Sequence, residues 1–325
     1  MNGTRRAKSR KQSLQVSGEP PAPINLHEVV DPLIDSLPEL QRAGTDIKSA
    51  LHQAILDGGE PTRRLADVLH GKWLGHPLHP LLTDVTIGAW LFGALFDVLS
   101  LLPLGKRHRA TANTLTTIGT ISAVPTALAG LTDFSAIKRD AVAYGTLHGL
   151  VNSAALLLYV LSLRARANGQ QARGVRLALM GFAGLLASAW LGGEMSYHKR
   201  VGVNHAPMPD APHHWTPVLN ADDLSPGQSR RVSAGGYPVL LYHYDGQIYA
   251  MGAVCAHAGG PLEKGKFEEG CVTCPWHDSV FDMRTGQVVH GPSTYSEPRY
   301  EVRVHNTQIE VRLPAPNPEA SGVTS

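Results

Sequence analysis

The chain has 325 residues, 43% apolar and 17% charged, with a formal net charge of +2. That length suits two domains, and so small a net charge excludes the broad basic field that a nucleic-acid partner would need. Three cysteines exclude a disulfide framework but are enough for a metal or cluster site.

Residues 1–25 are basic, then rich in Ser, Pro and Gly, which predicts disorder. No apolar stretch follows Arg5-Arg6, so the pair does not read as an export signal. Residues 26–70 place apolar side chains at helical spacing: Leu33, Ile34, Leu37 and Leu40, then Ala54, Ile55, Leu65, Val68 and Leu69. Asp57-Gly58-Gly59 interrupts them. Residues 1–70 are thus expected to be a disordered and then helical N-terminal region, its helical part, 26–70, packing on a partner surface.

Four apolar segments follow, at about 81–104, 111–136, 141–163 and 175–196. Each is near the ~20 residues that cross a ~30 Å hydrocarbon core. The breaks are short and charged: Lys106-Arg107-His108-Arg109, Lys138-Arg139-Asp140, and Arg164 to Arg176. Residues 71–203 therefore predict an antiparallel four-helix transmembrane bundle, with Gly, Ala, Ser and Thr allowing close helix approach in lipid. A soluble bundle would need a polar face on every helix, and residues 154–161 have none. Lys and Arg flank both membrane faces equally, so the positive-inside rule does not decide orientation. The long basic N-terminal tail is expected to stay in the cytoplasm, and an even number of spans returns the C-terminus there. The expected location is the inner (cytoplasmic) membrane, multi-pass and in contact with lipid.

Ionisable residues in such segments are functional suspects. They are His76, His79, Asp84, Asp97, Asp133, His148 with Asn152, Glu194 and His198. Up-down connectivity puts all but Asp97 at one end of the bundle, the end that leads to the C-terminal part. The motifs Gly75-His76-Pro77-Leu78-His79-Pro80, Gly130-Leu131-Thr132-Asp133, His148 with Asn152, and Gly192-Gly193-Glu194 resemble a bacterial four-helix membrane-domain family of uncharacterised function. That resemblance implies no chemistry. Three readings stay open: a polar cap that satisfies itself, haem b held by two of the histidines with His148 the favoured ligand, and a quinone or proton-exchange pocket.

Residues 204–214, with Pro207, Pro209 and Pro212, read as a linker. Short strands are predicted at 230–233, 239–243, 248–254, 300–305 and 309–313, with hairpin turns at Asp245-Gly246 and Asn306-Thr307. The fold class is thus multidomain: an all-α four-helix transmembrane bundle, then a small all-β domain over 215–313, then a disordered tail over 314–325.

All three cysteines fall in the β domain, two of them in paired units, Cys255-Ala256-His257 and Cys274-Pro275-Trp276-His277. The flanks are Gly259-Gly260-Pro261, Asp278-Ser279-Val280-Phe281-Asp282, Thr285-Gly286 and Gly291-Pro292. This stretch resembles the Rieske [2Fe–2S] family, and more its ferredoxins than its quinol-oxidising members. The resemblance implies a [2Fe–2S] cluster with Cys255 and Cys274 on one iron and His257 and His277 on the other. It also implies that Ser279 donates to a bridging sulfide, and that Phe281 stands where high-potential members carry a donating tyrosine. Gly260 and Trp276 stand where a bracing cysteine pair would be. Neutral imidazoles in place of two thiolates make an added electron less costly, and their outer nitrogens are expected to form an exposed edge. Cys271 makes a C-x-x-C with Cys274, a pattern that zinc also uses, and is expected to be a strand residue.

The function expected is membrane-anchored one-electron transfer to or from a redox partner protein, a reductase or an acceptor. An oxygenase would need a further iron domain with a 2-His-1-carboxylate triad, for which no residues remain. The alternatives are a membrane quinol or other oxidoreductase with its active site in the bundle, and a redox sensor.

Overall fold

The computed structural model describes residues 26–103, 105–207 and 212–314. The disorder expected for 1–25 and for the tail from 315, and residues 208–211 of the linker, lie outside the described residues. The chain up to Leu37 is a unit of its own, and its described part holds helix α1 (Leu26–Asp35).

From Pro38 onward come α2 (Pro38–Asp57), α3 (Gly59–His70), α4 (Leu78–Ser100), α5 (Arg109–Phe134), α6 (Val142–Ala167) and α7 (Gln171–Gly193). Gly59, at φ +66°, turns the chain between α2 and α3, where the Asp57-Gly58-Gly59 break predicts a turn. Among the described residues, four helices, α4 to α7 with their flanking turns, are long and apolar enough to cross a membrane. Their outward side chains, among them Val85, Phe92, Ile121, Leu128, Leu157, Met180 and Leu186, are exposed. So broad an apolar surface suits lipid and not water.

Inside the bundle, small residues make room for large ones. Trp90 of α4 and Tyr159 of α6 stack with ring centroids 4.0 Å apart. Gly119 of α5 and Gly181 of α7 close over them; a Cβ at Gly119 would collide with Trp90, and one at Gly181 would lie 3.1 Å from the Tyr159 ring. Toward the other end, Arg166 reaches both carboxylate oxygens of Asp97, at 2.8 and 2.5 Å. It also donates to Asn113 Oδ1 at 2.7 Å and Ser162 Oγ at 3.0 Å. The two charged side chains are only 3% and 0% exposed.

Helices α2 and α3 pack on the chain's own bundle, where a partner surface was expected. The Gln41 amide donates to the Arg139 carbonyl at 3.0 Å and accepts from Ala143 N at 3.1 Å, capping the start of α6. Gly44 lies against Thr146 and Val142 with no room for a Cβ.

The β domain has ten strands: β1 (Thr216–Asn220), β2 (Ser229–Ala234), β3 (Tyr237–Tyr244), β4 (Gln247–Gly252), β5 (Lys266–Glu268), β6 (Cys271–Thr273), β7 (Val280–Asp282), β8 (Val288–His290), β9 (Arg299–His305) and β10 (Gln308–Arg312). Six form an antiparallel sheet in the order β1-β10-β9-β4-β3-β2, and four a smaller sheet in the order β5-β6-β7-β8. The five predicted strands are β2, β3, β4, β9 and β10. The small sheet was not predicted, because three-residue strands are too short to show alternation. Leu240, Tyr242 and Met251 of the large sheet pack with Val272, Phe281 and Met283, and with Cys255 and Cys274.

Removing one member of a buried ion pair leaves the other charged and unpaired, at about 3–5 kcal/mol. Asp97→Leu should therefore lower the melting temperature of the purified protein in detergent markedly. Adding Arg166→Met should recover most of the loss.

Candidate metal centre

Two loops carry the paired Cys/His units, and the backbone closes both in the same way. Loop one, residues 255–260, follows β4; loop two, residues 274–279, joins β6 to β7. In each, the cysteine N–H donates to the carbonyl five residues on, Cys255 to Gly260 and Cys274 to Ser279, both at 2.8 Å. In each, the cysteine carbonyl accepts from the residue four on, Gly259 N at 2.8 Å and Asp278 N at 3.1 Å. Those fourth residues have φ of +81° and +59°, which glycine adopts freely and aspartate tolerates better than most.

The two loops bring the four expected ligands together. Cys255 and Cys274 are buried, and the His257 and His277 rings meet edge-on with centroids 5.1 Å apart. The two free thiols share a hydrogen bond, which lowers Cys274 and raises Cys255, and burial raises Cys255 further. Burial holds the imidazoles neutral, His257 well below its ordinary value and His277 down to about 4. Neutral imidazole and thiolate are the forms that bind metal. His277 Nδ1 is buried with no hydrogen-bond partner, as a nitrogen reserved for a metal would be. The residues present fit a metal cluster.

The surroundings follow the resemblance closely. Gly260 and Trp276 face each other, a Cβ at Gly260 falling 3.2 Å from the indole and 2.8 Å from Cys274 Sγ. Trp276 packs on that glycine and stays 54% exposed. Ser279 is fully buried; its Oγ accepts from Ser293 N at 3.0 Å, leaving its proton for another acceptor. Phe281 packs in the same core as Cys255 and Cys274. Cys271 sits in β6 opposite Asp282, outside the two loops, and burial raises its thiol.

Sequence reasoning missed Glu297. Its Oε1 accepts from Ala256 N at 2.6 Å, inside loop one, and burial pushes its carboxyl up to about 8. A lone Glu beside a proline between two strands carries no sequence signal for this role.

The histidine edge, expected to be exposed, is half-buried, because the helical part of the chain folds over it. On α2, His52 donates to Asp278 Oδ2 at 2.8 Å, and Lys48 Nζ lies 3.4 Å from His277 Nε2. On α3, Asp67 accepts from Gly291 N at 2.8 Å and from His290 Nδ1 at 3.0 Å. Lys72 donates to Asp67 at 3.2 Å and to the Val289 carbonyl at 2.5 Å. After α7, His205 N donates to the Ala256 carbonyl at 2.8 Å, and Tyr295 Oη donates to the Gly202 carbonyl at 3.0 Å. His257 borders a shallow, partly open cleft shared with His70, Pro77, Asp133, Val201 and Tyr295.

The polar residues of the bundle do not form one site. His76 is exposed, its Nδ1 donating to the Pro77 carbonyl at 3.1 Å. His79 Nδ1 donates to the Thr126 carbonyl at 2.9 Å. Asp133 accepts from His70 at 2.8 Å, and His198 lies 3.5 Å from Glu194. Asp84 is exposed, and Asp97 belongs to the Arg166 pair. His148 engages both nitrogens: Nδ1 donates to the Ser188 carbonyl at 2.9 Å, and Nε2 accepts from Asn152 at 3.0 Å. Haem b is therefore not supported, since its favoured ligand has no nitrogen to give.

Comparison with known proteins identifies two families in the chain. Residues 214–305 match the Rieske [2Fe–2S] domain family, and residues 75–205 match the predicted membrane protein family DUF2231. A Mus musculus protein, apoptosis-inducing factor 3, is 36% identical over 95 residues, which are 29% of this chain and 16% of that protein, so this chain spans under a fifth of its length. The anthranilate 1,2-dioxygenase ferredoxin subunit of Burkholderia cepacia is 30% identical over 99 residues, 30% of this chain and 92% of the subunit. The solved ferredoxin of carbazole 1,9a-dioxygenase from Nocardioides aromaticivorans IC177 is 31% identical, covers 31% of this chain and 98% of its own, and has a TM-score of 0.30. Through its C-terminal part this chain belongs to the Rieske [2Fe–2S] family, joined to a DUF2231 membrane domain that precedes it.

Proposed function

We propose that this protein is a membrane-anchored one-electron carrier, with Cys255 and Cys274 holding one iron of a [2Fe–2S] cluster and His257 and His277 the other. The observation that carries this reading is the convergence of two like-folded loops with His277 Nδ1 left buried and unpartnered. When bound, such a cluster accepts and returns a single electron, in the range of about −150 to +300 mV. The chain's own residues position and shield it. The two loops orient the four ligands, the core under them excludes water, and Ser279 offers a hydroxyl proton. A relative named as a ferredoxin subunit of a dioxygenase supports the carrier role and a protein redox partner, reductase or acceptor.

The membrane assignment rests on α4 to α7 and their lipid-suited surface. Trp73 and Tyr197, 64% and 89% exposed, flank the cluster end of the bundle, where aromatic side chains anchor at the headgroups. The membrane is the bacterial inner membrane, with the Rieske domain on the cytoplasmic side. One specific observation favours a second reading: the cleft that joins His257 to the His70–Asp133 pair suits a membrane-borne reductant such as a quinol. Reduction of the cluster in membranes by a quinol analogue, slowed by Asp133→Asn, would select that oxidoreductase reading. Reduction by a soluble reductase alone would select the carrier.

Cys255→Ser and Cys274→Ser should abolish the visible and EPR signals of the cluster, whereas Cys271→Ser should leave both intact. Retention of the signal in Cys274→Ser would overturn the ligand assignment.

Ser279→Ala removes one hydrogen bond to a charged acceptor, worth about 1.5–3 kcal/mol, of which only the difference between redox states counts. Since about 1.4 kcal/mol corresponds to about 59 mV for one electron, the midpoint should fall by tens of millivolts in an EPR-monitored titration.

In right-side-out vesicles the stretch 207–212 should resist added protease. Cleavage there would put the Rieske domain outside the cell.

A further inference from the structure

Residues 38–74 lie outside both matched families, yet α2 supplies side chains that meet ligand loop two. Lys48 Nζ donates to the Ile137 carbonyl at 2.5 Å and stands 3.4 Å from His277 Nε2. One turn on, His52 donates to Asp278 Oδ2 at 2.8 Å. Residues four apart share a helix face, so one face of α2 meets two successive residues of the loop. The placement is held from the bundle side. Gln41 bonds both Arg139 O and Ala143 N, and Gly44 allows α2 to touch Thr146 and Val142.

We propose that Lys48 is a positioning residue for the cluster: its ammonium stands beside the outer nitrogen of His277 and favours the reduced state. This rests on the reading of His277 as a ligand. A histidine that gives Nδ1 to a metal has Nε2 left to meet solvent, a partner or a neighbouring side chain. Here that nitrogen meets Lys48. At 3.4 Å the contact is electrostatic rather than a short hydrogen bond. A reduced cluster carries one more negative charge than an oxidised one, so a nearby cation stabilises it more, and at a half-buried site the effect is not fully screened. Asp278, bonded by His52, keeps its negative charge and opposes Lys48, but Lys48 stands directly at the ring nitrogen. Each imidazole borders a cleft against the helical part, His277 beside α2 and α3 and His257 beside the bundle end.

The test uses the full-length protein in detergent or nanodiscs, as wild type, Lys48→Met, Lys48→Arg and Gly44→Leu. Two readouts are taken: the midpoint potential from an EPR-monitored titration, and labelling of His277 by diethyl pyrocarbonate, read by mass spectrometry. Lys48→Met should shift the reduced-to-oxidised ratio at fixed ambient potential by about tenfold toward the oxidised form, a midpoint lower by about 59 mV, and should increase His277 labelling. Lys48→Arg should restore most of the potential. Gly44→Leu, which lifts α2 without touching Lys48, should behave as Lys48→Met does. A normal cluster signal with an unchanged midpoint and unchanged labelling in Lys48→Met overturns this inference alone. A wild-type protein without the cluster signal overturns the ligand reading, and this inference with it.

Discussion

The four side chains proposed as ligands sit on two short loops and have to meet within a few ångströms, and neither loop belongs to a helix or a sheet. What holds them is one backbone pattern used twice, Cys255 N to Gly260 O and Cys274 N to Ser279 O. Ordering each loop residue costs about 1–2 kcal/mol of backbone entropy. That cost is offset by the apolar core beneath, where both cysteines pack with Leu240, Met251, Phe281 and Met283. The positive φ values at Gly259 and Asp278 follow from the same pattern, because each loop must turn sharply just after its histidine. The small sheet exists to carry loop two, and the β4 end of the large sheet carries loop one.

The loops are also braced from outside. Asp67 is the hub of that bracing, with Gly291 N, His290 and Lys72 around one nearly buried carboxylate. Charge-assisted bonds of this kind are about twice as strong as neutral ones. His205 and Tyr295 add backbone links on the other side, at Ala256 and Gly202. The helical part is therefore more than an anchor. It packs beside both imidazoles of the candidate site.

Within the membrane domain apolar residues face outward as well as inward, and the Trp90–Tyr159 core shares the interior with hydroxyls, amides and a buried ion pair. Thr86 bonds Ser122 and Thr126, both at 3.0 Å, between α4 and α5, and His148 ties α6 to α7 through Ser188. Interhelical bonds of this type hold helices together in lipid, where no hydrophobic force does so. Residues that attract attention as a cofactor pocket thus join helices instead. The His70–Asp133 pair differs, because it lies at the bundle end and borders the cleft beside His257.

Much of this was legible in the residues themselves. Long apolar runs, alternating strands and two Cys/His units are local patterns, and each reports a local constraint: bilayer thickness, a half-buried sheet face, or ligand chemistry. Three features were not legible, for one physical reason. The three-residue strands β5 to β8 have no pattern of their own and exist only because the larger sheet and the loops demand them. Glu297 lies some forty residues along the chain from Ala256, and Lys48 lies 229 positions before His277; no spacing rule connects residues so distant. The same holds for His148, whose chemistry depends on Ser188 across a helix interface. The amino-acid sequence alone determined which groups can bind a cluster and which segments suit a membrane. Tertiary structure decided which of those groups meet, which are already satisfied, and which face of the site stays open, because those outcomes depend on contacts between residues that local pattern cannot pair.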